Sequence, residues 1–403
     1  MKIQAQKGTK DILPEQIENW YLMEDTARKV FGAAGCKEIR TPIFEATELF
    51  ARGVGDSTDI VNKEMYTFEK ADRSLTLRPE NTAGVVRAFI ENGFARVTPP
   101  VKLWYKGPMF RYERPQAGRQ RQFHQVGVEI FGSKEPACDV EAINLAVSYL
   151  NALGFNNLKV ELNSLGCPEC RKVYREKIRE ILKPYVENLC IDCKLRYEKN
   201  PLRILDCKDE HCKEILANPE IAKVINSDFI CDECREHFDN VQKYLNVLDI
   251  KFEVNKLLVR GLDYYTRTVF EVKSDDLGAQ NAILGGGRYD GLVEMLGGNP
   301  TPAVGWALGM ERLFSLMPQA EAQKLDYFVV SQNIEETLKL VQKIRLSGKT
   351  VDFDYAARKF AKQLEKAAKV ADYAIILGED EISGNYLTIK NLATGEQNKV
   401  TEL

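Results

Sequence analysis

The sequence lacks any long, uninterrupted run of apolar residues. Although 44% of its 403 residues are hydrophobic, no run approaches the roughly 18 apolar residues of a membrane-spanning helix. Its first residues, MKIQAQKGTKDILPEQ, also lack the apolar stretch of a secretory signal peptide. The sequence therefore predicts a cytoplasmic protein with no membrane partner. At roughly 150 residues per domain, it has room for two or three domains.

Histidine and net charge are scarce as well. Only His124, His211 and His237 are present, which disfavours a Ser-His-Asp or Cys-His hydrolase. A net charge of −3 gives no overall attraction for nucleic acid, so an RNA partner would have to meet a local basic patch. The segment FRYERPQAGRQRQFHQ, in which arginines are interleaved with aromatic residues, is such a patch. The alternative interpretation is a solvated hairpin.

Familiar phosphate-binding motifs are missing too. The glycine-rich segment GGGRYDG would let backbone N–H groups approach an anion. It does not match the pattern G-x-x-x-x-G-K-[ST], which excludes a P-loop, and its context is not that of a dinucleotide fingerprint.

Cysteine, in contrast, is concentrated in one region. Eight of the ten cysteines lie in CPEC, CIDC, CKDEHC and CDEC. Paired thiols two residues apart suit tetrahedral zinc in a reducing compartment. The candidate ligands are Cys167, Cys170, Cys190, Cys193, Cys207, Cys212, Cys231 and Cys234. The pairs could fill two four-cysteine sites, but the sequence does not say which pairs share an ion. Redox-active or free thiols are the alternative.

The hydrophobic periodicity changes along the chain and predicts an α+β protein. A helix in IENWYLMEDTARKVFGAAG precedes alternating runs such as VKLWYKGPMFRYE and QRQFHQVGVEIFG, which predict long antiparallel strands. From Gly166 to about Leu248 the pattern is helical and resembles an insertion. Strand patterning resumes in IKFEVNKLLVRGLDYYTRTVFEVKS. After about Ala320, strands and helices alternate, which predicts a small α/β domain.

Charged and polar residues on or beside predicted strands form a candidate site. Buried strand positions rarely tolerate unpaired charge, so these residues either pair with one another or face a charged ligand. Gln125, Gly127 and Glu129 would share one face of a regular strand. Glutamates suit a cationic group and arginines suit phosphate. The set comprises Glu80, Arg111, Gln125, Glu129, Arg260 and Arg312.

These segments resemble the histidyl-tRNA synthetases, a family of class II aminoacyl-tRNA synthetases. EIRTPIFEATELF, with its proline at Pro42, is similar to the first class II motif, GPMFRYERPQAGRQRQFHQVGVEIFG to the second and GWALGMERL to the third. LVRGLDYYTRTVFE and LGGGRYDGL resemble the histidine signatures of the family. The resemblance covers nearly the whole chain.

The resemblance implies three domains. Residues 1–165 and 249–320 would form the class II catalytic domain, an antiparallel sheet flanked by helices. Residues 166–248 would form a helical cysteine-rich insertion beside the tRNA acceptor stem, and catalysis in the family does not require its cysteines. Residues 325–403 would form the α/β anticodon-binding domain. This domain ends at NKVTEL, earlier than expected, so a terminal helix is expected to be absent.

The implied activity is that of a histidine–tRNA ligase. It would activate L-histidine with ATP and Mg to histidyl-adenylate and transfer the histidyl group to the 3′ end of tRNA(His). In-line attack by the substrate carboxylate needs positioning and charge stabilisation rather than a general base. By resemblance, the catalytic residues are Arg111, Arg260 and Gln125, and the ATP contacts are Arg111 and Arg260 at the α-phosphate, Arg119 and Arg312 at the β- and γ-phosphates, and Phe123 at adenine.

Histidine recognition is also implied by the resemblance. Glu80, Thr82 and Gln125 are similar to the residues that hold the α-ammonium group. The residues similar to those that read or enclose the imidazole are Glu129, Tyr264, Tyr265 and Tyr289. Such a polar pocket would reject analogues that leave its groups unpaired, by about 10⁴-fold. Ordinary sheet packing is the alternative for the tyrosines.

Further expectations concern partners. Arg114 and Gln116, in the turn RPQAGR, resemble the loop that approaches the tRNA acceptor end. The first class II motif implies a homodimer. Asp263 and Arg267 are assigned to holding their strand in place.

Two other classes of protein are weighed against the enzyme. A non-catalytic paralogue, such as the regulatory subunit of histidine biosynthesis that reuses this catalytic domain, would be expected to lose the histidine signatures or the C-terminal domain. A zinc-based RNA-binding module would bind RNA without any adenylation activity.

Overall fold

The computed structural model describes residues 3–55, 58, 60–113, 120–274, 282–318 and 323–402. The chain divides into two compact units, Met1–Gln319 and Ala320–Leu403. Within the described residues, no helix is both long enough and apolar enough to cross a membrane.

The first unit combines a large sheet, a small sheet and helices. Its elements up to residue 164 are α1 (Pro14–Ala33), β1 (Lys37–Glu38), β2 (Phe44–Ala46), α2 (Thr47–Val54), β3 (Tyr66–Lys70), β4 (Arg73–Leu77), α3 (Thr82–Glu91), β5 (Val101–Phe110), β6 (Gln122–Phe131), α4 (Pro136–Ala152) and β7 (Leu158–Ser164). A π-helical turn occupies Ile60–Glu64 and a 3₁₀ turn Phe94–Arg96.

Residues 166–248, all of which are described, are helical and contain no strand. Their helices are α5 (Pro168–Leu182), α6 (Ile191–Lys199), α7 (Glu210–Leu216), α8 (Pro219–Ile225) and α9 (Asp232–Val247), with 3₁₀ turns at Lys183–Asn188 and Pro201–Asp206. The first unit then continues with β8 (Phe252–Val254), β9 (Thr266–Ser274), β10 (Ala282–Arg288), α10 (Leu292–Met295), β11 (Ala303–Gly309) and α11 (Met310–Phe314).

The large sheet has eight strands in the order β1-β5-β6-β11-β10-β9-β7-β8. Its inner pairs are antiparallel, and only the two outermost pairs, β1 with β5 and β7 with β8, are parallel. This arrangement confirms the predicted antiparallel sheet flanked by helices.

The main core lies between one face of this sheet and four helices, α1, α4, α9 and α11. Met23, Ala27 and Phe31 of α1 recur at helical spacing and are completely buried there. The helix α9 adds Phe238, Val241 and Leu245 to the same core, so the last helix of the cysteine-rich region packs with the sheet.

Strand alternation along β6 separates this core from the other face of the sheet. Val126, Val128 and Ile130 belong to the main core. Because successive side chains of a strand point to opposite faces, Gln125 and Glu129 project from the face opposite α1 and α4.

The strand pattern predicted for residues 250–274 is wrong in its middle part, between β8 and β9. Residues 256–265 of the run NKLLVRGLDYY are turn and irregular backbone, and the strand begins at Thr266. Carbonyl groups of this backbone accept hydrogen bonds from a side chain instead of from a neighbouring strand. Asn163 Nδ2 donates to the carbonyls of Lys256 at 3.2 Å and Leu258 at 3.0 Å. Since buried carbonyls must be paired, such side-chain partners allow a segment with strand-like composition to leave the sheet.

The second unit is a five-stranded sheet with helices. Its elements are β12 (Leu325–Val330), α12 (Ile334–Leu346), β13 (Val351–Phe353), α13 (Phe360–Val370), β14 (Ala371–Ile376), α14 (Glu379–Gly384), β15 (Leu387–Asn391) and β16 (Gln397–Val400). The strand order is β13-β12-β14-β15-β16, with β12 parallel to both neighbours and the last pairs antiparallel. The α/β prediction for this region is confirmed.

Candidate active site

Glycines form the floor beneath a cluster of buried polar side chains, on the face of the large sheet opposite α1 and α4. A Cβ at Gly305 of β11 would lie 1.7 Å from Glu129 Oε2, and one at Gly285 of β10 would lie 2.2 Å from Nη2 of Arg260. A Cβ at Gly127 would lie 2.4 Å from the Tyr105 hydroxyl. Because glycine has no side chain, these three polar groups can lie directly on the sheet.

A buried carboxylate occupies the centre of this floor. Glu129 is completely buried, and its two oxygens accept hydrogen bonds from Thr82 Oγ1 at 2.7 Å and from the Tyr289 hydroxyl at 2.5 Å. Burial raises the pKa of Glu129 to about 8, although both hydrogen bonds favour the charged form. Near neutral pH the site alone therefore favours the protonated form of Glu129, and a ligand that carries N–H groups or positive charge would favour its carboxylate form.

The pKa of Glu129 predicts a specific pH dependence of stability. Its usual value is 4.5, so between about pH 4.5 and 8 the folded chain retains a proton that the unfolded chain has released. The free energy of unfolding contributed by this group therefore falls as pH rises through that window. Glu129→Gln, which cannot ionise, should melt at a higher temperature than the wild type at pH 9, with a much smaller difference at pH 5. Melting temperatures measured by circular dichroism at pH values between these two test this expectation.

Glu236→Gln, which alters an exposed glutamate on α9, is the control for loss of one negative charge. A melting-temperature difference between Glu129→Gln and the wild type that does not grow with pH would contradict the expectation.

A second carboxylate lies at the start of α3. Glu80 is buried and accepts the backbone N–H groups of Thr82 at 2.7 Å and Ala83 at 3.0 Å. These are free amides of the first helical turn, where a carboxylate is favourable. Burial nevertheless raises the pKa of Glu80. The contact fixes Thr82, and with it the orientation of the Glu129 carboxylate.

Three tyrosines enclose the same space. The ring centroids of Tyr264 and Tyr265 are 4.7 Å apart, and those of Tyr264 and Tyr289 are 5.6 Å apart. All three rings are buried, and burial raises the pKa of each hydroxyl. Neutral hydroxyls are therefore available as hydrogen-bond donors.

Arg260 lies beside the tyrosines, above Gly285. Its guanidinium pairs with the Glu271 carboxylate, and its buried Nε has no hydrogen-bond partner within the described part of the chain. Burial opposes the charge of Arg260, but Glu271, together with Tyr265, Tyr264 and Asp206, raises the pKa of the guanidinium. Arg260 is thus a fixed cation.

A second group of polar residues lies toward the end of β5 and the start of β6. Arg111 Nε donates to the carbonyl of Pro79 at 2.8 Å, and its Cζ is 5.2 Å from the centre of the Phe123 ring. The Oε1 atom of Gln125 is buried and finds no partner among the residues that are described. Arg312 lies half-buried in α11.

The arrangement closely matches one family of proteins. The model of the family "Histidyl-tRNA synthetase" matches residues 8–169 and 217–313, and that of an anticodon binding domain matches residues 320–402. A histidine–tRNA ligase of Halothermothrix orenii is 50% identical over 410 residues, covering 98% of this chain and 96% of that protein. One of Acetivibrio thermocellus is 47% identical, covering 100% and 98%.

The chain belongs to the histidyl-tRNA synthetase family.

Solved structures agree with this assignment. The apo histidyl-tRNA synthetase of S. aureus has a TM-score of 0.82 at 36% identity, covering 99% of this chain and 97% of that one. A Bacillus halodurans protein titled an ATP phosphoribosyltransferase regulatory subunit/histidyl-tRNA synthetase shares the fold, with a TM-score of 0.69 at 20% identity over 94% of this chain and 99% of that one. The predictions of family, fold class and ligase activity are confirmed.

Most site residues that the histidyl-tRNA synthetase motifs single out are brought together. The pocket around Glu129 gathers Thr82, Tyr264, Tyr265 and Tyr289, with Glu80 behind Thr82. Arg114, Gln116 and Arg119 lie outside the described residues.

Three residues of the synthetase site were missed by sequence reasoning. Tyr105 of β5 is opposite Gly127 in the sheet register, and its buried hydroxyl has no partner in the described ranges. Glu271 pairs with Arg260. Arg171 of α5 donates to the carbonyl of Tyr265 at 2.6 Å. Each contact depends on strand register or on a distant helix, so only the charge of Glu271 on a predicted strand offered a signal.

The eight clustered cysteines form two separate groups. In each group the four sulfurs lie within 4.8 Å of one another. We call Cys167, Cys170, Cys231 and Cys234 the junction cluster, because its pairs open α5 and α9 at the two ends of the insertion. We call Cys190, Cys193, Cys207 and Cys212 the inner cluster.

Backbone amides point at the sulfurs of both clusters. The N–H of Cys167 donates to Cys234 Sγ at 3.2 Å, that of Cys231 to Cys170 Sγ at 3.1 Å, and that of Cys190 to Cys212 Sγ at 3.3 Å. Amide donors and helix N-termini both favour thiolates, the form that binds metal. Tetrahedral zinc at about 2.3 Å from each sulfur needs sulfurs about 3.8 Å apart, which these groups can provide.

Proposed function

We propose that the pocket around Glu129 joins L-histidine to ATP as histidyl-adenylate and then passes the histidyl group to the 3′ end of tRNA(His). The chain is a histidine–tRNA ligase and uses ATP, as its family does. The observation that carries the residue assignment is the buried Glu129 carboxylate, which lies on the same glycine floor as the fixed cation Arg260.

Glu129 is the group proposed to read the imidazole. Its oxygens are oriented by Thr82 and Tyr289, so a carboxylate lone pair can accept an imidazole N–H. Tyr264 and Tyr265 enclose the ring. The unpartnered Gln125 Oε1 is an acceptor for the α-ammonium group, and the negative charge of Glu80 behind Thr82 supports that cation.

Arg260 and Arg111 are proposed to stabilise the first chemical step. A carboxylate oxygen of histidine bonds to the α-phosphorus while the bond to pyrophosphate breaks, so negative charge spreads over the phosphoryl oxygens. Magnesium enters with ATP as part of that substrate. We assign Phe123 to adenine, Arg312 and Arg119 to the outer phosphates, and Arg114 and Gln116 to the tRNA acceptor end, all by family resemblance.

The two histidine signatures favour an enzyme over a non-catalytic paralogue. Both LVRGLDYYTRTVFE and LGGGRYDGL are present and supply Arg260, Tyr264, Tyr265 and Tyr289. The matched anticodon-binding domain also remains. A regulatory subunit would be expected to lack one or the other.

Exchange of pyrophosphate into ATP tests the proposal. We expect exchange that depends on L-histidine and is weaker by about 10⁴-fold with other amino acids, because they leave buried polar groups unpaired. The assay is run with a panel of amino acids on the purified full chain. Absence of exchange, or equal exchange with several amino acids, would overturn the proposed function.

Each cysteine cluster is proposed to bind one structural zinc ion. Four thiolates and no other ligand make a closed site, which stabilises structure rather than taking part in the reaction. The inner cluster would tie α6 to the segment that leads into α7, within a region of short helices. Zinc content is measured together with the variants described below.

We further propose three domains: residues 1–165 together with 249–320, residues 166–248, and residues 325–403. The proposed location is the cytoplasm, where thiols stay reduced.

We also propose that the protein is a homodimer. Support for the dimer comes from the first class II motif, whose Ile43 and Phe44 are 44% and 54% exposed. Exposed apolar residues where a short strand begins suit an interface between subunits. Sedimentation velocity that detects only monomer at micromolar concentration would exclude it.

A further inference from the structure

The segment that carries two pocket tyrosines lies outside the sheet ladder, and the insertion contacts its backbone. Residues 260–265 have no strand structure. The guanidinium of Arg171, in the first turn of α5, donates to the carbonyl of Tyr265 at 2.6 Å and to that of Asp263 at 3.3 Å. These carbonyls flank Tyr264, so Arg171 fixes the backbone from which Tyr264 and Tyr265 project.

Just beyond this segment, in β9, Arg267 contacts both the residues where β7 leads into the insertion and the insertion itself. The backbone N–H of Arg267 donates to the Gly166 carbonyl at 2.9 Å, and its carbonyl accepts from the N–H of Leu165 at 2.8 Å. Its guanidinium pairs with Glu233 at 2.6 Å. Arg267 also has a positive φ of 49°, so it breaks the regular strand at this point. Arg267 is predicted to hold its strand in place, and Glu233 is the residue that pairs with its side chain.

Arg171 and Glu233, which contact the two ends of this stretch, both lie next to cysteines of the junction cluster. Arg171 directly follows the ligand Cys170, and Glu233 lies between Cys231 and Cys234. The amide–sulfur bonds of this cluster connect the first turn of α5 to that of α9. The spacing between the two anchors of the tyrosine segment is therefore fixed where the two helices meet.

We propose that metal bound at the junction cluster sets the affinity of the pocket for histidine, with Arg171 as the positioning residue that connects them. Four thiolates on one ion hold the starts of α5 and α9 together, which holds Arg171 and Glu233 at the two ends of the tyrosine segment. When the ion is lost, α5 moves relative to α9, and Tyr264 and Tyr265 lose their fixed positions. This inference rests on the proposed function of the same pocket.

One hydrogen bond joins the region of the inner cluster to this segment. Asn200, which lies between its ligands Cys193 and Cys207, donates from Nδ2 to Asp263 Oδ1 at 2.7 Å. This contact reaches a side chain that does not line the ring stack, whereas Arg171 binds the backbone on both sides of Tyr264. Loss of the inner ion is therefore expected to lower stability more than it alters the pocket.

The experiment compares the full-length wild type with Arg171→Ala, Arg171→Lys, Cys231→Ser and the double variant Cys190→Ser/Cys193→Ser. Lys172→Ala, an exposed neighbour on α5, is the matched control. Readouts are zinc per chain by elemental analysis, histidine affinity by calorimetry, and KM for histidine and for ATP in pyrophosphate exchange without tRNA.

We expect two zinc ions per chain in the wild type, in Arg171→Ala and in Lys172→Ala, and one in each cysteine variant. Arg171→Ala and Cys231→Ser should raise the Kd and KM for histidine by about 10- to 100-fold, as loss of charged hydrogen bonds implies, with KM for ATP changed less than threefold. Arg171→Lys should be intermediate, and Cys190→Ser/Cys193→Ser should change histidine affinity less than threefold.

Two results overturn the proposal. One is unchanged histidine affinity in Arg171→Ala or in zinc-depleted Cys231→Ser. The other is an equal rise in KM for histidine and for ATP, which would indicate general damage. A wild type without histidine-dependent exchange would overturn the proposed function instead. If the wild type is active while Arg171→Ala binds histidine normally, only the proposed connection between the junction cluster and the pocket is overturned.

Discussion

Arg260→Ala is expected to lower kcat for histidine-dependent pyrophosphate exchange by at least about 100-fold, the effect of removing one preorganised donor from a transition state. The guanidinium is fixed before substrate binds, because Glu271 pairs with it and Gly285 leaves room beneath it. Its charge therefore needs no rearrangement when negative charge develops on the α-phosphate. Steady-state exchange kinetics measure the effect.

Arg28→Ala, which removes an exposed arginine of α1, controls for the change in net charge. Gly285→Ala tests the same group indirectly, since the new Cβ would meet the guanidinium of Arg260 at 2.2 to 2.4 Å and displace it. Full kcat in Arg260→Ala would remove this residue from the chemistry. Full kcat in Gly285→Ala alone would show that the guanidinium can act from a shifted position.

Glu129→Ala is expected to raise KM for histidine by at least about 100-fold while leaving KM for ATP within about threefold. The substitution removes the acceptor proposed for the imidazole and leaves the hydroxyls of Thr82 and Tyr289 buried without their partner. The unpaired hydroxyls lower stability, whereas KM rises because the buried imidazole N–H loses its acceptor, at a cost of about 1–3 kcal/mol, and loses the attraction of the carboxylate. Exchange assays over a range of histidine concentrations measure KM.

Tyr289→Phe is the matched control for Glu129→Ala, because it removes one of the two donors and keeps the carboxylate. Its effect on KM for histidine should stay below about tenfold, because the hydroxyl bonds Glu129 and acts on histidine only through the orientation of that carboxylate. If the two variants had equal effects, the tyrosine hydroxyl rather than Glu129 would be the group that reads the ring.

Strand alternation was sufficient to predict part of this site. Gln125 and Glu129 are separated by an even number of positions, so a regular strand had to present them on one face. Helical spacing in α1 likewise predicted the buried stripe of Met23, Ala27 and Phe31. These features depend only on residues close together in the sequence.

Other parts of the site depend on contacts between distant segments. Tyr105 lies over Gly127 only because β5 and β6 pair in one register. The grouping of cysteines into two clusters depends on how α5 and α9 meet. The segment 256–265 has the composition of a strand, yet Asn163 and Arg171 provide the partners that its carbonyls would otherwise find in a sheet. No local pattern encodes such partners.

The junction cluster also brings together two points that are far apart in the sequence. Cys167 and Cys234 are 67 positions apart, yet the amide of one contacts the sulfur of the other. With an ion bound, the intervening helices form a closed loop whose two ends leave the sheet at one point. Closing a loop of this length restricts the unfolded chain by about 4 kcal/mol in the chain-entropy model. A change in the number of residues inside the loop, away from Arg171 and Asn200, would therefore leave the distance between its two ends unchanged.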